Sequence, residues 1–268
     1  MKIKIPKNMY MSDQFDDYEL ITYAALKHFE PQTDYETGFM PVIVQTLIYS
    51  LYGDYDVSHA IKQNITTCIE NLGAKGVITY EKCANGRYLI AMPEDDPTVY
   101  YAVIDFAHLG KIMRCPFDRK GKLFRFLCYM MGSRNNQQKV RDRTCVVGDR
   151  KLGYFTDELD WNYDTVRHYN KLLVDLNIIY IVHTYEYEDG VVRTVNVYGA
   201  YEDKELIDEY THNEDGSLTA KFETGNHRRR VKAKKQALDA NPEKYDIYET
   251  HKRNNQYNNL MEELDQKS

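Results

Sequence analysis

Apolar residues along this chain recur first at helical spacing and then in short extended runs, and this order of patterns appears twice. In the first copy, residues 17–29 predict a helix and residues 38–40 predict a short strand. Pro41 suits the first turn of a second helix, because its φ angle is fixed and it has no N–H group to leave unbonded. We expect that helix to end at Gly53 and a third helix to begin near Ser58.

A hairpin is predicted to close the first copy. Residues 77–80 and 88–90 are rich in side chains that favour strands, and Asn85-Gly86 lies between them. Asn-Gly between two such runs is a strong hairpin signal, because both residues accept positive φ angles.

The second copy repeats this order of patterns. We predict helices over residues 122–131 and 164–176, a short strand over 153–155, and a hairpin of residues 178–187 and 191–198. Thr156 is expected to cap a helix over residues 157–161, whose acidic first turn suits the helix dipole. Superimposing the two patterns places Ile65 on Val166, although few residues are identical.

Helix, short strand, helix, turn, helix and two-stranded wing is the order of a winged-helix domain. The sequence therefore predicts an α+β chain with two tandem winged-helix domains, over residues 1–97 and 118–201. Residues 98–117 would be a linker, and residues 202–268 a charged tail that is helical or partly disordered. An unrelated pair of small α+β domains is the alternative.

In a winged helix the third helix enters the major groove, with its first turns facing the base edges. The outward positions of that helix in the second copy are Tyr163, Asp164, Thr165, Arg167, His168 and Lys171. In the first copy they are Ser58, His59, Lys62, Gln63, Asn64, Thr66 and Thr67, with Arg87 at the tip of the wing. Arg167 suits bidentate contact to guanine and Lys171 suits a phosphate. A merely solvated helix face is the alternative.

Two basic runs offset a net charge of −6. The first, an insertion long enough to be mobile when free, contains Arg134, Lys139, Arg141, Arg143, Arg150 and Lys151. The second contains Arg228, Arg229, Arg230, Lys232, Lys234 and Lys235 without an acidic residue. Such runs typically neutralise phosphates without reading sequence.

Acidic residues argue against DNA binding by both domains. Residues 1–97 carry 8 basic and 14 acidic side chains, and the second wing carries Glu186, Glu188 and Asp189 near its tip. One of the two domains is therefore a candidate for dimerisation or for contact with another protein.

Several classes of protein are disfavoured. Apolar runs are too short for a membrane span, and the N-terminus lacks the apolar stretch of a secretory signal. The five cysteines are scattered, which predicts reduced thiols in the cytoplasm and no zinc site. Phosphate-binding and nucleophile motifs are missing, so we predict no catalysis and no cofactor. The 24 tyrosines mostly fit core positions rather than a DNA-nicking site, which would also need a metal cluster.

Two short segments carry a resemblance to a known family. They are Ile5-Pro6-Lys7-Asn8-Met9-Tyr10 and Tyr18-Glu19-Leu20-Ile21-Thr22-Tyr23-Ala24-Ala25-Leu26. They resemble the start of replication initiators from plasmids and phages of low-GC Gram-positive bacteria. The resemblance implies a short extended segment before a winged helix, binding to repeats in double-stranded origin DNA, and recruitment of host replication proteins. Two alternatives stay open: a transcriptional regulator, which a palindrome at a promoter would favour, and a protein-interaction module of a replication or conjugation complex. A homodimer is a further candidate partner arrangement.

Overall fold

The computed structural model describes residues 1–134, 136–140, 143–150, 152–188 and 191–219. They form two compact units, of which the first comprises Met1–Val182 and Asn196–Tyr210. The second comprises His183–Val195 and the described residues from Thr211 onward. Helices and small antiparallel sheets are interspersed, which confirms the predicted α+β class. None of the described helices has the length and apolar character needed to cross a membrane.

The elements of the first half are β1 (Lys2–Pro6), α1 (Lys7–Met11), α2 (Asp17–Phe29), β2 (Met40–Ile43), α3 (Val44–Tyr52), α4 (His59–Ala74), β3 (Thr79–Lys82), β4 (Arg87–Ala91) and β5 (Tyr101–Asp105). Those of the second half are α5 (Phe106–Arg114), α6 (Lys120–Gly132), β6 (Asn136–Val140), β7 (Arg143–Arg150), α7 (Leu152–Leu159), α8 (Tyr163–Asp175), β8 (Ile179–Glu188), β9 (Val191–Ala200) and α9 (Lys204–Thr211).

The first copy folds as α2, β2, α3, α4, β3 and β4, and its antiparallel sheet has the strand order β2-β4-β3. Helix α2 begins with a capping box, in which the Asp16 side chain accepts from backbone N–H groups and Glu19 bonds back to the Asp16 backbone. Gly53 ends α3 with a φ angle of 73°, a left-handed conformation that glycine adopts without a Cβ penalty. Asn85 and Gly86 also have positive φ angles, as the predicted hairpin requires.

Pro41 does not begin a helix, contrary to our prediction. It lies inside β2, where Met40 and Val42 are buried and pair with Ile90 and Tyr88 of β4. Because β2 is an edge strand, the proline needs no partner for its missing N–H group. Helix α3 therefore begins at Val44 instead.

The second copy has the same order of elements, but a different segment supplies its first strand. Residues 153–155, predicted as a strand, belong to helix α7, which begins at Leu152. Thr156 is consequently not an N-cap, and its Oγ1 donates to the carbonyl of Gly153 within the helix. The strand position is taken by β7, whose end pairs with β9 through Gly148 opposite Tyr198 and Arg150 opposite Asn196. The resulting strand order is β6-β7-β9-β8.

The basic insertion at residues 134–151, predicted to be mobile when free, contains an antiparallel hairpin. β6 pairs with β7 through Asn136 opposite Val147 and Val140 opposite Arg143. Cys145 and Val147 are buried at alternate positions of β7. Burial of the alternating apolar side chains of β7 therefore stabilises this hairpin. The many basic residues of the segment made that alternation hard to recognise in the sequence.

Residues 98–117, expected to be a linker, contain β5 and α5. β5 pairs with β1 and places Ile104 opposite Ile3, both buried. Helix α5 buries Leu109, Ile112 and Met113. Buried apolar side chains of this segment and of both copies form one continuous core. Both copies, apart from His183–Val195 of the second hairpin, therefore belong to a single packed unit.

The first helices of the two copies, α2 and α6, are joined by a largely buried arginine. Arg125 of α6 is 12% exposed, and its Nε donates to Oδ1 of Asp17 at 2.7 Å. Its other nitrogens donate to backbone carbonyls of the segment before α2, including that of Phe15 at 2.6 Å. The two helices approach closely at Gly121, so a Cβ atom at this position would collide with the side chain of Asp17.

The second unit contains the outer parts of β8 and β9 and the described residues after Tyr210. Thr184 is buried, and its hydroxyl donates to the carbonyl of Val195 at 2.9 Å. After Thr211, an isolated bridge pairs His212 with Leu218 and closes a short turn. The predicted tail lies outside the described residues from position 220 onward.

Candidate nucleic-acid interface

Helix α8 has one buried and one solvent-exposed face. Asn162 caps it by accepting a hydrogen bond from the Asp164 N–H at 2.8 Å, which sets where the helix begins. Val166, Tyr169 and Leu173 are the buried positions, and they pack into the core. The opposite positions are therefore free to contact a ligand.

The predicted contact residues of the second copy lie on that outer face. Arg167, His168 and Lys171 are exposed. Lys171 follows His168 by three positions and Arg167 by four, so it lies one helical turn beyond them on the same face. Tyr163 is 52% exposed at the start of the helix. Asp164 is also exposed, whereas Thr165 is half-buried.

Two basic side chains of α8 form no ion pair within the part of the chain that the structure describes. Among the described residues, neither Arg167 nor Lys171 takes part in an ion pair of the kind that holds Arg125. Arg119, in the segment between α5 and α6, adds further positive charge beside α8. Burial raises the pKa of the Tyr169 hydroxyl, and the charge of Arg119 acts against that increase. The outer surface of α8 thus presents cations that remain available to an anionic partner.

The segment before α6 also positions His168. The ring of Phe117 meets His168 edge-on at 5.5 Å between centroids, and it meets Tyr169 at 5.6 Å. Phe117 and Arg119 were not among the predicted contact residues, since Phe117 was assigned to a linker. The one available signal was an aromatic residue within a polar stretch of the sequence.

The first copy presents its third helix, α4, in the same way but with several polar groups already used. Ser58 caps α4 by accepting from the Ile61 N–H at 3.4 Å. The hydroxyl of Thr66 donates to the carbonyl of Lys62, and Asn64 accepts from the thiol of Cys68. His59, Gln63 and Thr67 remain exposed at the outer positions, and Lys62 is half-buried.

The surface around α4 is electrostatically weaker than that around α8. Lys82 of the hairpin pairs with Glu70 at 2.6 Å, which lowers the pKa of that carboxyl. Lys75 pairs with the buried Glu19. Arg87, next to the hairpin turn, is exposed. The first copy therefore offers fewer unpaired cations, in line with its acidic composition.

Arg134, predicted to contact phosphate, is instead a structural residue. It donates to the carbonyls of Met131, Val146 and Val103 at 3.2 to 3.5 Å. Burial lowers the pKa of its guanidinium below the usual value. With its nitrogens bonded to backbone carbonyls, the partly buried Arg134 ties α6 to β5 and β7.

The other members of the basic runs differ in position. Arg143 is exposed on β7, whereas Arg150 is half-buried at the end of the same strand. The backbone of Lys139 lies in β6. The predicted contacts outside the described residues are Arg141, Lys151, Arg228, Arg229, Arg230, Lys232, Lys234 and Lys235, and the wing residue Asp189 is outside them as well.

Metal ligation has no candidate within the described ranges, where no three His, Cys, Asp or Glu side chains are placed to share an ion. Comparison with protein-family models and with curated proteins finds no match for this chain.

Proposed function

We propose that this chain is a sequence-specific, double-stranded DNA-binding protein with two tandem winged helices. The outer face of α8 carries the proposal, because Arg167, His168 and Lys171 are exposed on the helix that the repeated order assigns to the major groove. The strand orders β2-β4-β3 and β7-β9-β8 support it, since each copy joins its closing hairpin to a strand that precedes the helix pair.

The second copy is proposed to read the bases. Arg167 is four positions before Lys171, so both side chains lie on one helical face and reach the same groove. A bidentate arginine–guanine contact contributes about 1–3 kcal/mol of discrimination, and a lysine–phosphate contact contributes salt-dependent affinity. The first copy adds weaker DNA contacts through Lys62 and Arg87, or it binds a protein partner.

Fluorescence anisotropy on duplex DNA, selected from the source genome for binding, tests this proposal. Arg167→Ala should weaken binding to the selected duplex by about 1–3 kcal/mol, roughly 5- to 150-fold, and should relax preference at one base pair. Lys204→Ala is the matched control, because it removes one exposed positive charge from α9 and should leave affinity nearly unchanged. Equal losses in the two variants would remove α8 from the interface.

We further propose that the DNA-binding role is initiation of replication of a plasmid, phage or other mobile element. This rests on the resemblance of residues 5–10 and 18–26, which form the end of β1, the start of α1 and most of α2. Footprinting on the source genome separates the two DNA-binding roles. Direct repeats in or beside the gene support an initiator, whereas a promoter palindrome supports a transcriptional regulator. Absence of duplex binding at low salt would favour a protein-interaction module.

A further inference from the structure

A cavity of about 210 Å³ opens between α1, the end of α6, the end of β7 and α7. The side chains that bear on its chemistry are Lys7, Tyr100, Ser133, Arg150, Tyr154 and Glu158. Its volume equals roughly seven water molecules at about 30 Å³ each, too little for a drug-sized ligand. A phosphate with an attached sugar is of suitable size.

Arg150 is the main feature of this cavity. Its guanidinium stacks on the ring of Tyr154, with 4.9 Å from Cζ to the ring centroid. Stacking fixes the plane of the guanidinium and leaves its N–H edge for an acceptor. Its Nε is buried, yet it has no hydrogen-bond partner within the described part of the chain. A buried charged donor without an acceptor costs free energy, so an anion that enters the cavity and meets this guanidinium would offset that cost.

The remaining lining carries charges of both signs. Lys7 supplies a second cation, and it forms no ion pair with Glu158 among the described residues. Glu158, on α7, is exposed, and its ionised carboxylate can only accept hydrogen bonds. A ligand that carries both an anionic group and hydroxyl donors would complement this lining.

An aromatic ring extends this pattern beyond the cavity. Tyr100 lines it and is 80% exposed, so its ring is available to stack on a base. We propose that the cavity binds the sugar phosphate of a nucleotide, with the phosphate at Arg150 and Lys7 and a sugar hydroxyl at Glu158. This site is independent of the proposed duplex interface, since none of its residues lies on α8.

Isothermal titration of the full chain with ribose 5-phosphate, ribose and inorganic phosphate tests the proposal. Ribose 5-phosphate should bind more tightly than inorganic phosphate, and ribose alone should not bind at millimolar concentration. Arg150→Gln should weaken ribose 5-phosphate at least about tenfold, because a charge-assisted hydrogen bond is lost. Arg143→Gln is the matched control, since Arg143 is exposed on the same strand and should leave binding unchanged.

Two further measurements complete the test. A thermal melt of Arg150→Gln checks folding, and Glu158→Gln should weaken ribose 5-phosphate more than inorganic phosphate. If a nucleoside 5′-monophosphate binds more tightly than a 5′-phosphorylated oligonucleotide, the ligand of the cavity is a free nucleotide. If the oligonucleotide binds more tightly, the ligand is the 5′ end of a nucleic-acid strand. No binding of ribose 5-phosphate to the wild type, or equal losses for both arginine variants, would overturn the proposal.

Discussion

Replacing Arg125 by alanine should destabilise the whole first unit, because this side chain joins the two copies. Its guanidinium donates to Asp17 at 2.7 Å, to the Phe15 carbonyl at 2.6 Å, and to the Met9 and Tyr10 carbonyls at 3.2 Å. The alanine variant leaves a carboxylate without its counter-charge and several carbonyls without a donor. Packing of the aliphatic stem is lost as well.

The magnitude follows from the burial of the pair. Removing one partner of a buried ion pair costs about 3–5 kcal/mol. Asp17 retains 25% exposure, so water partly replaces the lost partner and the expected loss lies near the lower limit, about 3 kcal/mol. Such a loss is a large share of the roughly 5–15 kcal/mol that stabilises a typical domain.

Urea denaturation followed by circular dichroism measures this loss as a change in the free energy of unfolding. Arg125→Lys keeps the positive charge, but a single ammonium group cannot bond all the acceptors that surround the planar guanidinium. We therefore expect an intermediate loss of unfolding free energy. Lys122→Ala, at an exposed position of the same helix, should change stability by less than about 0.5 kcal/mol. A loss below about 1 kcal/mol for Arg125→Ala would refute the interpretation of this arginine as the junction between the copies.

Three further predictions concern packing, thiol accessibility and pH. Gly121→Ala should lower the free energy of unfolding by about 1–3 kcal/mol, because the new Cβ atom would collide with the side chain of Asp17. Denaturant unfolding measures this loss, and an unchanged unfolding midpoint would contradict the prediction. Titration with a thiol reagent should label Cys83 in the native protein, while the four buried cysteines react only after unfolding. Hydrogen bonds from two lysines, among them Lys27, outweigh the effect of burial and hold the pKa of Asp95 below its usual value. The stability difference between wild type and Asp95→Asn should therefore be full above about pH 4 and disappear as pH falls further; a constant difference down to about pH 2 would contradict it.

The candidate interface shows how far local signals reach. The face of α8 was predicted from spacing alone, since a helix that buries Val166, Tyr169 and Leu173 must expose the positions between them. Arg134 could not be assigned in the same way. Whether an arginine contacts solvent or backbone carbonyls depends on segments distant in sequence. Here Arg134 donates hydrogen bonds to the carbonyls of Val103 and Val146.

By itself, the sequence determined α2, α4, α6 and α8 and the hairpins of both copies, because apolar periodicity and turn residues such as Asn85-Gly86 act within a few residues. Tertiary structure alone decided that Pro41 lies in an edge strand, that β7 supplies the first strand of the second copy, and that residues 98–117 enter the core. Strand pairing joins residues far apart in the chain, so its register depends on partners that no local pattern identifies. The same reason explains Arg125 and Arg150, whose roles are set by the groups that folding brings around them.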